Sequence, residues 1–186
     1  MRHKYATPAV ILARAPLAEA GMLATLLTSE FGLIRARAEG ARRPGAKLAH
    51  ALQTFDESEV SLVRGKDGWR LTGAVLAHDH FRALAPEGRS RAARIASLLL
   101  RLVHGESADA PLFGIFRDFL AALPPLGDAE QDGAEVLAAL RLLSALGLDS
   151  GAAPPEGYGA DAIQTALAQR SEYVKRVNRG INASGL

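Results

Sequence analysis

Hydrophobic positions follow a strand period up to about residue 76 and a helical period beyond about residue 88. Residues 9–14 form an extended apolar run that ends near Pro16, and residues 22–28 form a second. Ser29-Glu30-Phe31-Gly32 supplies a turn with glycine at its end. From Ile34 to Glu39 the alternation is sharp: Ile34, Ala36 and Ala38 share one face, and Arg35, Arg37 and Glu39 the other. Gly40 closes that strand. Residues 57–63 alternate again, with Ser58, Val60 and Leu62 on one side. The loop Arg64-Gly65-Lys66-Asp67-Gly68 then leads into residues 69–76, and Asp-Gly suits the positive φ angles of a tight hairpin. Short strands at this density predict a five-stranded, closed or nearly closed small barrel, because closure removes exposed strand edges.

The second half reads as helices. Residues 89–104 place Ala92, Ile95, Leu99 and Leu102 on one stripe, with Gly105 as the stop. Residues 112–123 repeat the pattern between Pro111 and Pro124-Pro125. A third helix runs to Leu146, started by Asp132 with Glu135, or Asp128 with Gln131, as a capping box. Residues 149–160, rich in Gly, Ala and Pro, read as a loop. Ile163, Leu167, Arg170, Val174, Val177 and Ile181 then predict one long final helix. The expected organisation is α+β in two domains, an all-β module over residues 1–80 and an all-α module over 88–186.

Composition changes this picture little. With 48% hydrophobic and 23% charged residues, the 186-residue chain is an ordinary globular one. The net charge of +2 excludes a protein that is basic throughout, but the distribution is uneven. Residues 1–75 carry eleven Lys and Arg against seven Asp and Glu, while residues 76–186 carry eleven against thirteen. A basic front end suits an anionic partner. The absence of cysteine excludes disulfides and cysteine-ligated zinc. The apolar run at residues 9–13 is cut short by Arg14, and no later stretch has the length of a membrane span, so a soluble cytoplasmic protein is expected.

Catalytic signatures are missing. There is no Gly-rich phosphate loop of standard spacing, no His-Glu-x-x-His helix and no nucleophile elbow, and an enzyme is not expected. His78-Asp79-His80 is the one tight cluster with metal-ligand character. Two histidines on one strand face suit a divalent ion, but no third ligand lies nearby in sequence. The cluster is therefore read as a solvated strand end, with no metal and no cofactor.

The stretch from Arg35 to Lys47 is more informative, with five basic side chains and one acid within thirteen residues. Arg35 and Arg37 project from one strand face, and Arg42, Arg43 and Lys47 sit in a loop punctuated by glycine and proline. Several cations a few ångströms apart suit a phosphate chain, and the guanidinium fork can also stack on bases. Gly40 and Gly45 permit close backbone approach. Lys66 and Arg70, around the later hairpin, extend the candidate surface. The alternatives are a solvated charged loop, an RNA-binding barrel, or a protein-interaction adaptor without nucleic-acid binding. Phe31 and Trp69 are either base-stacking platforms or core. Phe113, Phe116 and Phe119 are either a partner groove or core, core being preferred. Lys175, Arg176 and Arg179 suit the negative end of the last helix dipole more than a partner.

The order of features resembles the RecO family. Glu19-Ala20-Gly21-Met22, Leu26-Leu27-Thr28-Ser29-Glu30-Phe31-Gly32-Leu33 and Ala38-Glu39-Gly40-Ala41-Arg42-Arg43-Pro44 follow one another as in that family. Lys47-Leu48, Ala51-Leu52-Gln53-Thr54-Phe55 and residues 59–62 continue the likeness, which thins beyond residue 90. The resemblance implies an N-terminal OB-fold and a C-terminal helical domain. It further implies binding of single- and double-stranded DNA, annealing of complementary strands, and loading of RecA together with RecR. The family also recognises the acidic, apolar C-terminal tail of single-strand-binding protein. By position, Arg35, Arg37, Arg42, Arg43 and Lys47 become DNA contacts. Many members carry a cysteine-ligated zinc module in the C-terminal half that this chain, having no cysteine, cannot form. At 186 residues it is also short for the family, and its RecR and tail surfaces are expected to be reduced or absent.

Overall fold

The computed structural model describes residues 3–17, 19–43, 46–106 and 110–185, without the side chains of Lys47 and Ala110. They divide into two compact units, Met1–Ala83 with His104–Phe113, and Leu84–Val103 with Gly114–Leu186.

The first unit is a five-stranded barrel. Strands β1 (Lys4–Leu17), β2 (Gly21–Thr28) and β3 (Gly32–Ala38) precede a one-turn helix, α1 (Lys47–His50). Strands β4 (Glu57–Gly65) and β5 (Gly68–His78) follow, and a second short helix, α2 (His80–Ala83), leaves the barrel. The strands close in the order β1-β2-β3-β5-β4. All neighbours are antiparallel except β3 and β5, which run parallel at Ala36↔Trp69 and Arg37↔Arg70. This is the OB-fold arrangement.

Closure depends on β1, which is longer than its apolar run. Ala9 and Val10 pair with β2 on one side and with β4 on the other, and a register shift between Ile11 and Ala13 bends the strand. Pro16 does not end it: Pro16 lies opposite Met22 at the strand's far end, where a missing N–H is tolerated. Ala9, Ile11, Ala24, Leu26, Ile34, Ala36, Val60, Leu62 and Trp69 fill the interior, and Leu52 enters the same core. The alternation in β3 and β4 is as expected, with Ile34, Ala36, Ala38, Ser58, Val60 and Leu62 buried.

The β4–β5 hairpin differs in detail from its Asp-Gly signature. Gly65 pairs with Gly68, so the two turn residues are Lys66 and Asp67, and only Gly68 takes a positive φ, of 97°. Before β4 the backbone is tight. Phe55 has a φ of 74° and is buried, its N–H bonding to Ile11 O at 2.7 Å while Asp56 O accepts from Ile11 N. These bonds to β1 hold a non-glycine residue in a conformation it rarely adopts.

The second unit is helical: α3 (Pro86–Leu102), α4 (Ala110–Ala122, in which the division between units falls), α5 (Asp128–Ala145), α6 (Ala160–Ala168) and α7 (Arg170–Ala183). Pro86 opens α3 after an extended Ala85, three residues before the expected start, because proline fits a first turn whose N–H groups have no partner. Phe116 and Phe119 are fully buried, so the aromatics of α4 are core. The cap of α5 is not at either expected box. Gly127 precedes the helix and its N–H donates to Glu130 Oε2 at 3.0 Å, half of a capping box, since glycine has no side chain to return the bond. Gln131 instead donates through Nε2 to Leu123 O and Leu126 O, satisfying carbonyls just beyond the end of α4.

The expected single last helix is two. Gln169 leaves the helical region (φ −101°, ψ 16°) between α6 and α7. Nothing at that position in the sequence breaks a helix; packing does. In α7 the buried residues are Tyr173, Arg176 and Gly180, while Val174, Val177 and Ile181 of the expected stripe are only half-buried. Gly180 lies so near the chain after α5 that a Cβ there would be 2.9 Å from Leu148 O. Gly133 on α5 likewise admits Leu167 and Ile163 of α6. Among the described residues no helix is long and apolar enough to cross a membrane.

Candidate nucleic-acid interface

Strand alternation places Arg35 and Arg37 on the outside of the barrel, opposite Thr25 and Leu23 of β2, with Ala36 between them pointing into the core. Because β3 and β5 run parallel, Arg37 sits in register with Arg70. Arg37, Arg70 and Lys66 thus line one groove together with Arg64, Glu39 and Asp67. Arg70 approaches Glu39 at 3.8 Å, a contact between exposed groups that water screens.

Arg42 and Arg43 follow β3 in an exposed turn. Gly40 takes a φ of 69°, Arg43 N bonds to Gly40 O at 3.0 Å, and Arg42 N bonds to Ala20 O at 3.1 Å, fixing this turn beside the β1–β2 connection. Pro44 and Gly45 lie outside the described residues, and of Lys47 only the backbone, at the start of α1, is described. Arg35, Arg37 and Arg43 make no ion pair with any described residue. The structure brings Arg37, Lys66 and Arg70 to one groove, Arg35 to the same strand face, and Arg42 and Arg43 to the turn that ends that strand.

Trp69 is buried rather than a free platform. Its ring meets Tyr5 edge-on at 5.5 Å and Phe31 at 5.1 Å, and Phe31 is half-buried against the barrel core. The Arg64 guanidinium covers Trp69 at 4.9 Å from its centroid and pairs with Glu106. Arg64, named in the sequence only as part of the hairpin loop, was given no role there because the acid that holds it over Trp69, Glu106, lies some forty residues further along the chain. Arg176, grouped above with the cations of the last helix, is buried: it grips Asp149 at 2.5 and 3.1 Å and Ala152 O at 2.6 Å. Arg179 is exposed and pairs with Glu172 at 3.2 Å.

His78 and His80 do not share a strand face: His78 ends β5 and His80 begins α2. A third candidate ligand does exist. Glu57, which opens β4 and pairs in register with His78, reaches both rings. Its sequence distance of some twenty residues hid it. Burial pushes the His80 imidazole below its ordinary value and pushes the Asp56 carboxyl above its own, where Asp56 Oδ1 accepts the Phe81 N–H at 3.0 Å.

A small OB-fold barrel with arginines on an outer strand face, joined to a helical unit, defines the class. Residues 1–80 match the family model described as Recombination protein O N terminal. The chain is 30% identical over 129 residues to the DNA repair protein RecO of Dehalococcoides mccartyi, covering 69% of this chain and 51% of that protein. It is 36% identical over 90 residues to the protein of the same name from Gloeobacter violaceus, covering 48% and 34%. The DNA repair protein RecO of Nostoc punctiforme is 29% identical over 134 residues, 72% of this chain and 45% of that one. The chain belongs to the RecO family. It spans between about a third and about half the length of these relatives.

Proposed function

We propose that this chain is a non-catalytic mediator of recombinational DNA repair that binds single- and double-stranded DNA, anneals complementary strands and assists RecA loading. The observation that carries the reading is the set of outward cations on β3, β5 and their turns, in a barrel of the RecO family. Phosphates taken up by Arg35, Arg37, Arg42, Arg43, Lys47, Lys66 and Arg70 release counterions, which makes binding strongly salt-dependent and nearly blind to sequence. Lowering the repulsion between two backbones lets complementary bases meet. With Trp69 buried, stacking contributes little to this affinity.

RecR and the acidic, apolar tail of single-strand-binding protein are the partners of the same reading, in a cytoplasmic setting. Support for the tail comes from a groove in the helical unit, where Leu98, Val174, Val177 and Ile181 form an apolar lining beside Arg101 and the Arg94–Glu135 pair. An apolar chain ending in carboxylates complements that surface.

The test is binding and annealing of short complementary DNA strands by fluorescence across a salt series, with matched RNA as competitor. Salt-sensitive binding and faster annealing are expected. Arg42→Ala combined with Arg43→Ala should weaken binding for every sequence and lower the salt slope by about 1 to 2. An unchanged slope in the folded double variant sinks the assignment, and preference for RNA redirects it to an RNA-binding role.

A further inference from the structure

Three side chains converge where the last two barrel strands end. Glu57 is the first residue of β4, His78 the last of β5, and His80 opens α2 just beyond it. His78 Nδ1 lies 3.0 Å and His80 Nε2 3.9 Å from the same carboxylate oxygen, Glu57 Oε2. One ligand atom from each residue falls within 4.8 Å of the others. The two imidazoles stack at 5.8 Å between centroids. His80 is only 7% exposed, and its Nε2, aimed at this cluster, has no hydrogen-bond partner. A buried ring nitrogen without a partner forfeits its hydration for nothing. The neighbouring acids are engaged with the backbone: Asp56 accepts from Phe81 N and Asp79 from Arg82 N.

We propose that Glu57, His78 and His80 bind a divalent transition-metal ion of the zinc type. Two imidazole nitrogens and one carboxylate oxygen suit zinc, and three protein ligands leave one position for water. Bonds of about 2.0–2.2 Å place tetrahedral ligand atoms about 3.4 Å apart, and the observed separations of 3.0 and 3.9 Å bracket that value. The ion replaces the hydrogen bond between His78 and Glu57 and gives His80 Nε2 the partner it lacks. The exposed His78 ring is free to swing inward to complete the triangle, whereas His80 and Glu57 are held in place by burial. A metal here clasps the start of β4, the end of β5 and the segment leaving the barrel, so its effect is on the stability of the barrel end.

The experiment uses the full chain stripped with chelator, titrated with Zn²⁺ by calorimetry and with Co²⁺ by visible absorption, and melted with and without zinc. One equivalent should bind, Co²⁺ should show the absorption of a four-coordinate site, and zinc should raise the melting temperature. His78→Ala removes an exposed side chain and Glu57→Gln keeps the shape of its residue; both should bind at least tenfold more weakly and lose the zinc-dependent shift. Changing the exposed His3, His50 and His104 together to Gln should leave binding intact. Absence of saturable binding, unchanged affinity in the first two variants, or loss of binding in the triple variant overturns the site.

Discussion

On the barrel, Arg35, Arg37 and Arg43 are exposed and meet no acid among the described residues. In the helical unit, Arg91 holds Asp128 at 2.7 Å and Glu135 at 2.9 Å, Arg94 holds Glu135, Arg170 holds Asp132, and Arg176 holds Asp149. Arginine is equally at hand in both, but the barrel leaves these three open to an outside anion, while pairing Arg64 with Glu106, and the helical unit uses the four named here to join helices to each other and to the loop after α5. The +2 net charge therefore says little about where DNA could bind, since Arg91, Arg94, Arg170 and Arg176 of the second unit are already paired with acids.

The sharpest way to break this contrast is to remove one cation from each side. Arg176→Ala should destabilise the helical unit by about 3 kcal/mol or more, because it strands the buried Asp149 carboxylate; breaking a buried pair costs about 3–5 kcal/mol. Chemical denaturation followed by helical circular dichroism measures this, and the folded fraction should still bind DNA normally. The Arg42→Ala and Arg43→Ala double variant should do the reverse, losing DNA while changing stability by about 0.5 kcal/mol or less. Loss of DNA binding in folded Arg176→Ala would mean that the two units do not divide these roles.

Acid should act on the paired unit next. Arg176 holds the Asp149 carboxyl below its ordinary value, and Arg170 does the same for Asp132. A depressed carboxyl contributes stability that is fully present above its unfolded value and is lost as pH falls through the lowered folded one. Denaturation midpoints of the helical signal should therefore fall on acidification through and below the carboxylate range, and Asp149→Asn should flatten that dependence. A midpoint indifferent to acid would remove the ion pairs from the account.

The smallest effect is expected at Arg179. Its partner Glu172 and Arg179 itself are both exposed, so Arg179→Ala should cost well under about 1 kcal/mol by the same melt. A larger loss would show that exposed pairs matter in this unit as much as the buried one.

Much of the barrel was legible because strand alternation is local. Ile34, Ala36 and Ala38 faced inward where their spacing placed them, and the arginines between them faced out. The candidate interface was half legible: Arg35 and Arg37 follow from alternation alone, but the groove they share with Lys66 and Arg70 needs the parallel pairing of β3 with β5. Local chemistry misjudged the start of α5, because the chain caps it with a backbone N–H onto Glu130 and gives Gln131 to the end of α4. The burial of Arg176 was invisible, since its acid lies in a loop that reads as featureless.

By itself the sequence determined the period of each segment, hence a β half and an α half, the inward and outward faces of β3, and the absence of any cysteine-built site. These are properties of residues within a few positions of one another. Only the tertiary structure decided that the final helix breaks at Gln169, that Arg64 covers Trp69, that Arg37 stands beside Arg70 and that Glu57 completes a triad with His78 and His80. The last two join groups far apart in the chain, and Arg64 is held over its hairpin neighbour Trp69 by the distant Glu106; barrel closure and the close approach that Gly133 and Gly180 allow the helices set these outcomes. Periodicity records which side of an element is buried; it carries no information about what that side will touch.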